Sequence, residues 1–248
     1  MQPGLTFAVD SALWDMRGKL CGQRVAELLG EKVMQDLELW VKNGGGLVND
    51  EGTEATVNSE ENVEALTFVQ DMMTDGIAAY SSDVGAGWGG EAFGKELGAM
   101  TIEGNWIVGA MEADFPDVEY TTVKLPAGPA GEGTLQYTNC WGIASDSGNV
   151  EGAVSLVEHL TAPEQQLAFA DAFGVMPSIE EAAEQWKGDN PEMAAYIDSV
   201  EFAGNLPAQE GAADVIGELN AQLAKIKSAD PQQLLDGVQQ NMEAVVNQ

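Results

Sequence analysis

Two side chains that can hold a polar ligand with an apolar face, those of Asn105 and Trp106, stand next to each other in the sequence. They follow a short apolar run at residues 99–102 and a turn at Gly104. An indole covers C–H surface, while an amide both donates and accepts hydrogen bonds. The pair therefore suits a ligand such as a sugar. A buried tryptophan beside a turn asparagine is the alternative that these residues leave open.

Further side chains of the same kinds lie in similar glycine-rich surroundings. Trp88 has glycine on both sides, which lets the backbone approach a ligand closely. Glu91 and Glu103 offer carboxylates to sugar hydroxyls, although solvated carboxylates explain them equally well. The predicted ligand-binding residues are Trp88, Glu91, Asn105, Trp106, Tyr137, Asn139 and Trp141. Trp40 and Trp186 are instead predicted to pack between helices.

The sequence predicts no catalytic residue, no metal site and no cofactor. The single histidine, His159, lies in a helical run without a partner histidine or a nearby nucleophile, and we expect it on a helix surface. Cys21 and Cys140 have neither metal-ligand spacing nor a CxxC motif. Two small buried thiols are expected there, with a disulfide as the alternative. The glycine-rich run 84–91 is not followed by the Gly-Lys-Ser/Thr of a phosphate loop.

The charge balance excludes several classes of partner. Ten Lys and Arg residues stand against 41 Asp and Glu residues, which gives a formal net charge of −31. Such a charge repels nucleic acids and anionic membrane surfaces. The acids are spread along the chain, which favours adaptation of a halophilic protein to high salt, with an ordinary acidic protein as the alternative. No apolar run approaches the ~20 residues that cross a bilayer, and no signal peptide is recognisable at the start.

Apolar spacing and capping signals predict a chain rich in helices. Helices are expected over residues 5–29, 34–42, 59–75, 150–160, 163–173, 179–186, 191–199, 212–227 and 231–246, with a short helix at about 92–96 and a helical turn at 107–113. A hairpin is expected over residues 47–57, and strands over residues 99–108 and 137–144. The Pro- and Gly-rich run 125–131 is the best candidate for a linker between lobes.

From about residue 39 onward, short motifs follow one another in a characteristic order. They occupy residues 40–45, 58–60, 92–95, 99–106, 125–129, 141–144, 160–166 and 174–178. In this order they resemble family 1 extracellular solute-binding proteins, the sugar-binding components of ABC importers. The resemblance implies an α/β, type II periplasmic-binding-protein-like fold, with a sugar held between two lobes that close by a hinge motion. It also implies an extracellular or cell-surface location and docking on an ABC permease.

Two departures from that family shape the predicted organisation. The family begins with a long segment that builds most of the first lobe, and this lobe is expected to be largely missing here, with an N-terminal helix in its place. Residues 7–30 instead resemble the helix before the barrel in mandelate racemase-type members of the enolase superfamily, whose catalytic barrel strands are not found. The chain is thus predicted to be a chimera. The expected regions are 1–32 (helical segment), 33–126 (C-terminal-lobe-like), 127–204 (partial N-terminal-lobe-like) and 205–248 (helices returning to the C-terminal-lobe-like region).

The leading functional hypothesis is a carbohydrate-binding component of an ABC transporter, or a fragment of one, that binds a sugar without chemistry and is not an enzyme. Aromatic faces, amides and carboxylates suit sugar hydroxyls and C–H surfaces. One alternative is an engineered or recombined scaffold that binds no ligand. A glycoside hydrolase, which would need two carboxylates across a cleft, is the other.

Overall fold

The computed structural model describes residues 32–33, 37–138 and 140–247. The helix expected over residues 5–29, the enolase-like segment, Cys21 and Asn139 therefore lie outside the described residues. By its internal contacts the chain divides into two units. The first unit comprises Met1–Ile102, Leu125–Leu135 and Phe202–Gln248, and the second comprises Glu103–Lys124 and Gln136–Glu201. The correspondence of the four predicted regions to particular lobes stays a prediction.

Helices dominate the described residues, and the strands are short. The α-helices are α1 (Leu37–Lys42), α2 (Glu60–Thr74), α3 (Gly89–Gly94), α4 (Trp106–Asp114), α5 (Val150–Leu160), α6 (Pro163–Phe173), α7 (Glu180–Asp189), α8 (Ala194–Ile197), α9 (Ala212–Leu223) and α10 (Pro231–Val246). Single 3₁₀ turns cover Ser81–Val84, Pro191–Met193 and Val200–Phe202. The strands are β1 (Lys32–Val33), β2 (Ala78–Ala79), β3 (Met100–Thr101), β4 (Thr134–Leu135) and β5 (Ala203–Gly204).

All strand pairs in the described part of the first unit are parallel. β1 lies between β2 and β3, with Lys32 opposite Ala78 on one side and Met100 on the other. β4 pairs with β5 in a second, two-stranded sheet. The hairpin expected over residues 47–57 is reduced to one antiparallel bridge between Val48 and Ala55.

The core of the first unit forms where α2, α9 and α10 meet. Fully buried side chains here include Leu66 and Val69 of α2, Leu219 of α9 and Leu235 of α10. Trp40 of α1 is buried in the same cluster, which confirms that it packs between helices. The apolar faces of these helices therefore supply one continuous core.

Side-chain caps fix where α2 and α10 begin. Ser59 Oγ accepts a hydrogen bond from the Asn62 amide at 3.3 Å. An Asp230 carboxylate oxygen accepts one from the Gln233 amide at 2.9 Å, and Pro231 occupies the first turn of α10. The Ser59 and Asp230 caps both accept hydrogen bonds from backbone amides that have no partner inside the helix. The predicted helix starts are confirmed.

A buried asparagine ties the loop before α2 to that helix. Asn62 Nδ2 donates to the carbonyls of Gly46, Thr56 and Val57, at 2.8, 3.0 and 3.0 Å. A Cβ on Gly45 would lie 1.9 Å from Asn62 Oδ1, so glycine is required there. The polar side chain lies in the core because its donor group satisfies loop carbonyls that have no strand partner.

The second unit contains α4 to α8. Trp186 of α7 is buried, as predicted, and His159 lies exposed on α5. No residue of α5 is buried, and its apolar side chains Val150, Val154 and Leu156 are exposed. The rings of Phe169 and Phe173 on α6 are also exposed, with their centroids 4.5 Å apart.

Three expectations differ from the structure. Cys140 is a free, exposed thiol, where a buried one was expected. The strand expected over residues 99–108 ends at Thr101, because α4 already begins at Trp106. The described part of the expected strand 137–144 is irregular: its aromatic and apolar residues have β propensity, but no neighbouring strand pairs with them.

Two properties of the described residues bear on function. None of their helices is long and apolar enough to cross a membrane. In the same residues, no group of three or more His, Cys, Asp and Glu side chains is arranged to hold a metal ion.

Candidate functional site

The turn before α4 fixes the orientation of the Trp106 ring. A Cβ on Gly104 would lie 2.2 Å from Trp106 Cζ3, so the indole lies directly over this glycine. Trp106 Nε1 donates to Glu103 Oε2 at 2.8 Å. The ring is therefore held by its edge and one face, while 42% of the residue remains exposed. A tryptophan that is fixed and exposed in this way can receive a ligand without first being ordered.

Tyr137 completes an aromatic corner with Trp106. The two ring centroids are 5.9 Å apart and the planes cross at 74°, an edge-to-face contact. Tyr137 is 52% exposed. The structure thus brings together two of the predicted binding residues, although they are 31 positions apart (137 − 106) in the sequence. We call Trp106 and Tyr137 the aromatic corner.

Asn105, the residue before Trp106, is anchored to a distant part of the second unit. It is only 8% exposed, and its Nδ2 donates to the Gly174 carbonyl at 2.8 Å. Gly174 has a positive φ of 67° and ends α6, a conformation that favours glycine. The bond joins the two chain segments of the second unit. The structure therefore uses the amide donor of Asn105 for positioning, a role that the sequence did not indicate.

Trp141 belongs to the second unit as well. It is 63% exposed and lies in an irregular segment four residues after Tyr137 (141 − 137). Asn139, between these two aromatics, lies outside the described residues. Exposed aromatic residues at positions 137 and 141 supply apolar surface within one short segment.

Trp88 and Glu91 belong to the first unit, at the start of α3. The Trp88 ring folds over Gly90, where a Cβ would lie 2.1 Å from Trp88 Cη2. Glu91 Oε2 accepts from the Gly87 amide at 2.6 Å, and Oε1 pairs with the Lys95 ammonium. The Lys95 hydrogen bond, followed by that from Gly87, lowers the pKa of Glu91 below its usual range. Each carboxylate oxygen thus has a partner within the chain, and Glu91 closes the loop that presents Trp88.

Sequence reasoning missed Tyr196, a neighbour of the same region of the second unit. Burial raises the pKa of Tyr196 to about 12, with smaller contributions from Tyr120 and Glu103. The phenol therefore stays protonated over the physiological pH range. Nothing in the sequence around Tyr196 signals this position, because it depends on packing against distant segments.

Residues 12–196 match the bacterial extracellular solute-binding protein family, and the chain belongs to this family. The match covers 185 of 248 residues (196 − 12 + 1) and confirms the predicted relationship to extracellular solute-binding proteins. It begins inside the segment 7–30 that the sequence likens to an enolase-superfamily helix. A comparison with curated proteins finds no match.

Solved structures of solute-binding proteins share the fold. An ABC substrate-binding protein of Listeria monocytogenes in complex with cycloalternan has a TM-score of 0.73 at 22% identity, over 88% of this chain and 59% of the other. The cyclic α-maltosyl-1,6-maltose binding protein of Arthrobacter globiformis has a TM-score of 0.66 at 21% identity, over 94% of this chain and 64% of the other. UgpB of Mycobacterium tuberculosis in complex with glycerophosphocholine has a TM-score of 0.65 at 14% identity, over 88% of this chain and 58% of the other. These likenesses confirm the predicted fold class, and the chain spans about three fifths of the length of these relatives.

Proposed function

We propose that the chain is the carbohydrate-binding component of an ABC transporter, or a fragment of one, and that it binds a sugar without changing it. Membership of a solute-binding family supports a binding role rather than an enzymatic one. By their names, one solved relative is in complex with cycloalternan and another binds cyclic α-maltosyl-1,6-maltose. The predicted partners, a sugar and an ABC permease, and the predicted extracellular location belong to this proposal.

The aromatic corner is the observation that carries the proposal. Trp106 and Tyr137 expose large ring surfaces to solvent, and such surfaces are commonly functional. Sugar rings present C–H faces that pack on aromatic rings, and their hydroxyls need polar partners nearby. Glu103, already bonded to the indole N–H, places a carboxylate beside the corner. Apolar surface next to a hydrogen-bond acceptor is what a sugar requires.

The charges of the second unit favour an uncharged ligand. Its only lysines are Lys124 and Lys187, and it has no arginine. Lys187 is paired with Asp198, and this hydrogen bond raises the pKa of Lys187. Recognition of a phosphate uses arginine or lysine donors. We therefore propose a neutral oligosaccharide rather than a phosphodiester such as the glycerophosphocholine bound by the mycobacterial relative.

The resemblance of residues 7–30 to an enolase-superfamily helix, and hence the chimeric origin of the chain, stays a prediction. The family match begins at residue 12 and so includes most of this segment. This overlap favours a single solute-binding origin for the segment and the rest of the chain.

The test is a ligand screen by thermal melting and tryptophan fluorescence, in low and high salt. Maltotriose and a cyclic maltooligosaccharide should raise the melting temperature of the wild-type chain, and glycerophosphocholine should not. Trp106→Ala and Tyr137→Ala should each lower the affinity for sugar about tenfold or more, since a stacked ring contributes about 1–3 kcal/mol to binding. Phe68→Ala is the matched control, because Phe68 is an equally exposed aromatic residue of the first unit.

The outcomes separate the alternatives. An unchanged response in Trp106→Ala would remove the aromatic corner from the binding site. Hydrolysis of a nitrophenyl glycoside by the wild-type chain would contradict a role without chemistry and favour the glycoside hydrolase. A cooperative melt that no sugar shifts would contradict the proposal and favour a scaffold without a ligand.

A further inference from the structure

Gln166, near the start of α6, binds a segment that follows the other end of the same helix. Its Oε1 accepts a hydrogen bond from the Ser178 amide at 2.7 Å, and its Nε2 donates to Ser178 Oγ at 3.1 Å. Nε2 also donates to the Thr161 carbonyl, just before α6, at 3.3 Å. Both ends of the Gln166 amide are thus used in joining the start of α6 to a residue 12 positions further along the chain.

The chain between these two residues runs back along α6. The helix ends at Phe173, and Gly174 turns the chain with a φ of 67°. Gln166 and Phe173 are seven residues apart (173 − 166), which is about 10 Å of helix. Residues 174–178 contain no helical residue and return over that distance, because Ser178 contacts Gln166. We call residues 174–178 the return segment.

The first residue of the return segment contacts the start of α4. The Gly174 carbonyl accepts a hydrogen bond from Asn105 Nδ2 at 2.8 Å. The two backbones also lie close together. A Cβ on Gly174 would lie 3.6 Å from the Gly109 amide nitrogen, and a Cβ on Gly109 would lie 3.6 Å from the Phe173 carbonyl oxygen. The start of α4, which carries Trp106, therefore packs against the turn with which the return segment begins.

These contacts form one series of hydrogen bonds within the second unit. The series leads from Gln166 through the return segment to Asn105 and the aromatic corner. Its members come from three of the motifs that carry the family resemblance, those at residues 99–106, 160–166 and 174–178. The structure thus joins motifs that are separated in the sequence.

We propose that Gln166 is a positioning residue for the aromatic corner. It fixes the return segment, and the return segment fixes Asn105 and with it the ring of Trp106. This inference rests on the proposed function, because the corner is the surface offered to the sugar. Gln166 acts through the hydrogen-bond series and not by contact with the sugar. A corner held in one place binds without an ordering cost, and release of Ser178 from Gln166 introduces that cost.

Substitutions at Gln166 give the first test. Gln166→Ala removes the bonds to Ser178 and should lower the affinity for maltotriose, measured by fluorescence titration, about three- to tenfold, as expected for the net loss of one hydrogen bond. Gln166→Glu keeps an oxygen that accepts from the Ser178 amide and should retain affinity within about twofold of wild type. Asn190→Ala is the matched control. It removes an amide that donates to the Trp186 carbonyl at 2.9 Å in the same unit, and it should leave the affinity unchanged.

A measurement without sugar separates this inference from the proposed function. Acrylamide quenching of Trp106 fluorescence, taken as the difference between each chain and its Trp106→Phe counterpart, reports how the ring is held. Gln166→Ala should increase this quenching, whereas Gln166→Glu and Asn190→Ala should not. In an Asn105→Ala background, where the series is already broken, Gln166→Ala should add little. A general loss of α6 stability would instead add equally in both backgrounds.

The two measurements can fail independently. If no sugar binds but the Trp106 quenching follows the expected pattern, the proposed function is wrong and the positioning role of Gln166 stands. Should Gln166→Ala disturb α6, Ser178→Ala is the milder variant, because it loses only the hydroxyl and should change quenching in the same direction. Unchanged Trp106 quenching in both variants, an equal effect of Gln166→Ala in the Asn105→Ala background, or no recovery in Gln166→Glu would overturn the inference.

Discussion

Asn105→Ala tests how the second unit holds its aromatic corner. The side chain is buried and donates to the Gly174 carbonyl at 2.8 Å, across 69 residues of sequence. Removing a donor from a buried acceptor costs about 1–3 kcal/mol. We therefore expect a lower free energy of unfolding by that amount. A weaker response to sugar should accompany it, because Trp106 is the next residue.

Asn105→Asp sharpens this prediction. A carboxylate cannot donate to the Gly174 carbonyl, but its protonated form can. Burial beside a carbonyl raises the pKa of the introduced acid above its unfolded value, so the variant loses stability as the pH rises through that range. Asn105→Asp should consequently be less stable than Asn105→Ala at pH 7 and should regain stability at pH 4.

The assay is urea denaturation followed by circular dichroism at both pH values, with sugar titration by fluorescence. Asn149→Ala is a suitable control, since Asn149 caps α5 in the same unit by accepting from the Gly152 amide at 3.0 Å. It should cost about 1 kcal/mol without changing the sugar response. An Asn105→Ala chain as stable as wild type, or an Asn105→Asp chain whose stability relative to wild type is the same at both pH values, would refute the positioning role.

Three further predictions concern the first unit. Asn62→Ala should lower the free energy of unfolding by about 2–4 kcal/mol in urea titrations, because three loop carbonyls lose a shared donor. Asp230→Ala should lower it by about 1 kcal/mol through loss of the α10 cap, measured in the same way. Glu91→Gln should remove a contribution to the stability of the 84–90 loop. That contribution is present above the unfolded pKa of Glu91 and is lost as the pH falls through its lowered folded pKa. The measurement is the protease resistance of the loop as a function of pH.

Each of these has a contradicting result. If Asn62→Ala leaves the urea midpoint unchanged, the loop carbonyls find other donors and the prediction is wrong. If Asp230→Ala lowers the free energy of unfolding no more than Gln232→Ala, a substitution at an exposed position that does not cap α10, the capping role of Asp230 is excluded. For Glu91, a loop whose protease resistance shows the same pH dependence in wild type and in Glu91→Gln would exclude a role for its ion pair with Lys95.

Local signals in the sequence predict much of the helical structure. The bounds expected for α10 match the structure, because Asp230 and Pro231 define its start. α5 is likewise found at its predicted bounds, 150–160, following the Asn149 cap. These elements are specified within one or two turns of chain, so a single sequence is enough to locate them.

The strands and the site depended on contacts that a sequence does not display. β1, β2 and β3 have two residues each, and their parallel pairing joins positions as distant as Lys32 and Met100. Residue type and glycine context indicate Trp106 and Tyr137 as binding residues, but the sequence does not predict the contact between their rings. The buried tether from Asn105 to Gly174 was not anticipated, because a turn asparagine gives no sign of its distant acceptor.

The exposed apolar side chains of α5 and α6 and the high net charge act in opposite directions between molecules of the protein. Val154 and Phe173 attract similar surfaces on other molecules, and the net charge of −31 holds those molecules apart. Added salt shortens the range of that repulsion from about 10 Å at 0.1 M to about 3 Å at 1 M and does not weaken the apolar attraction. Ionic strength therefore sets the balance between this charge repulsion and the attraction of the exposed apolar side chains.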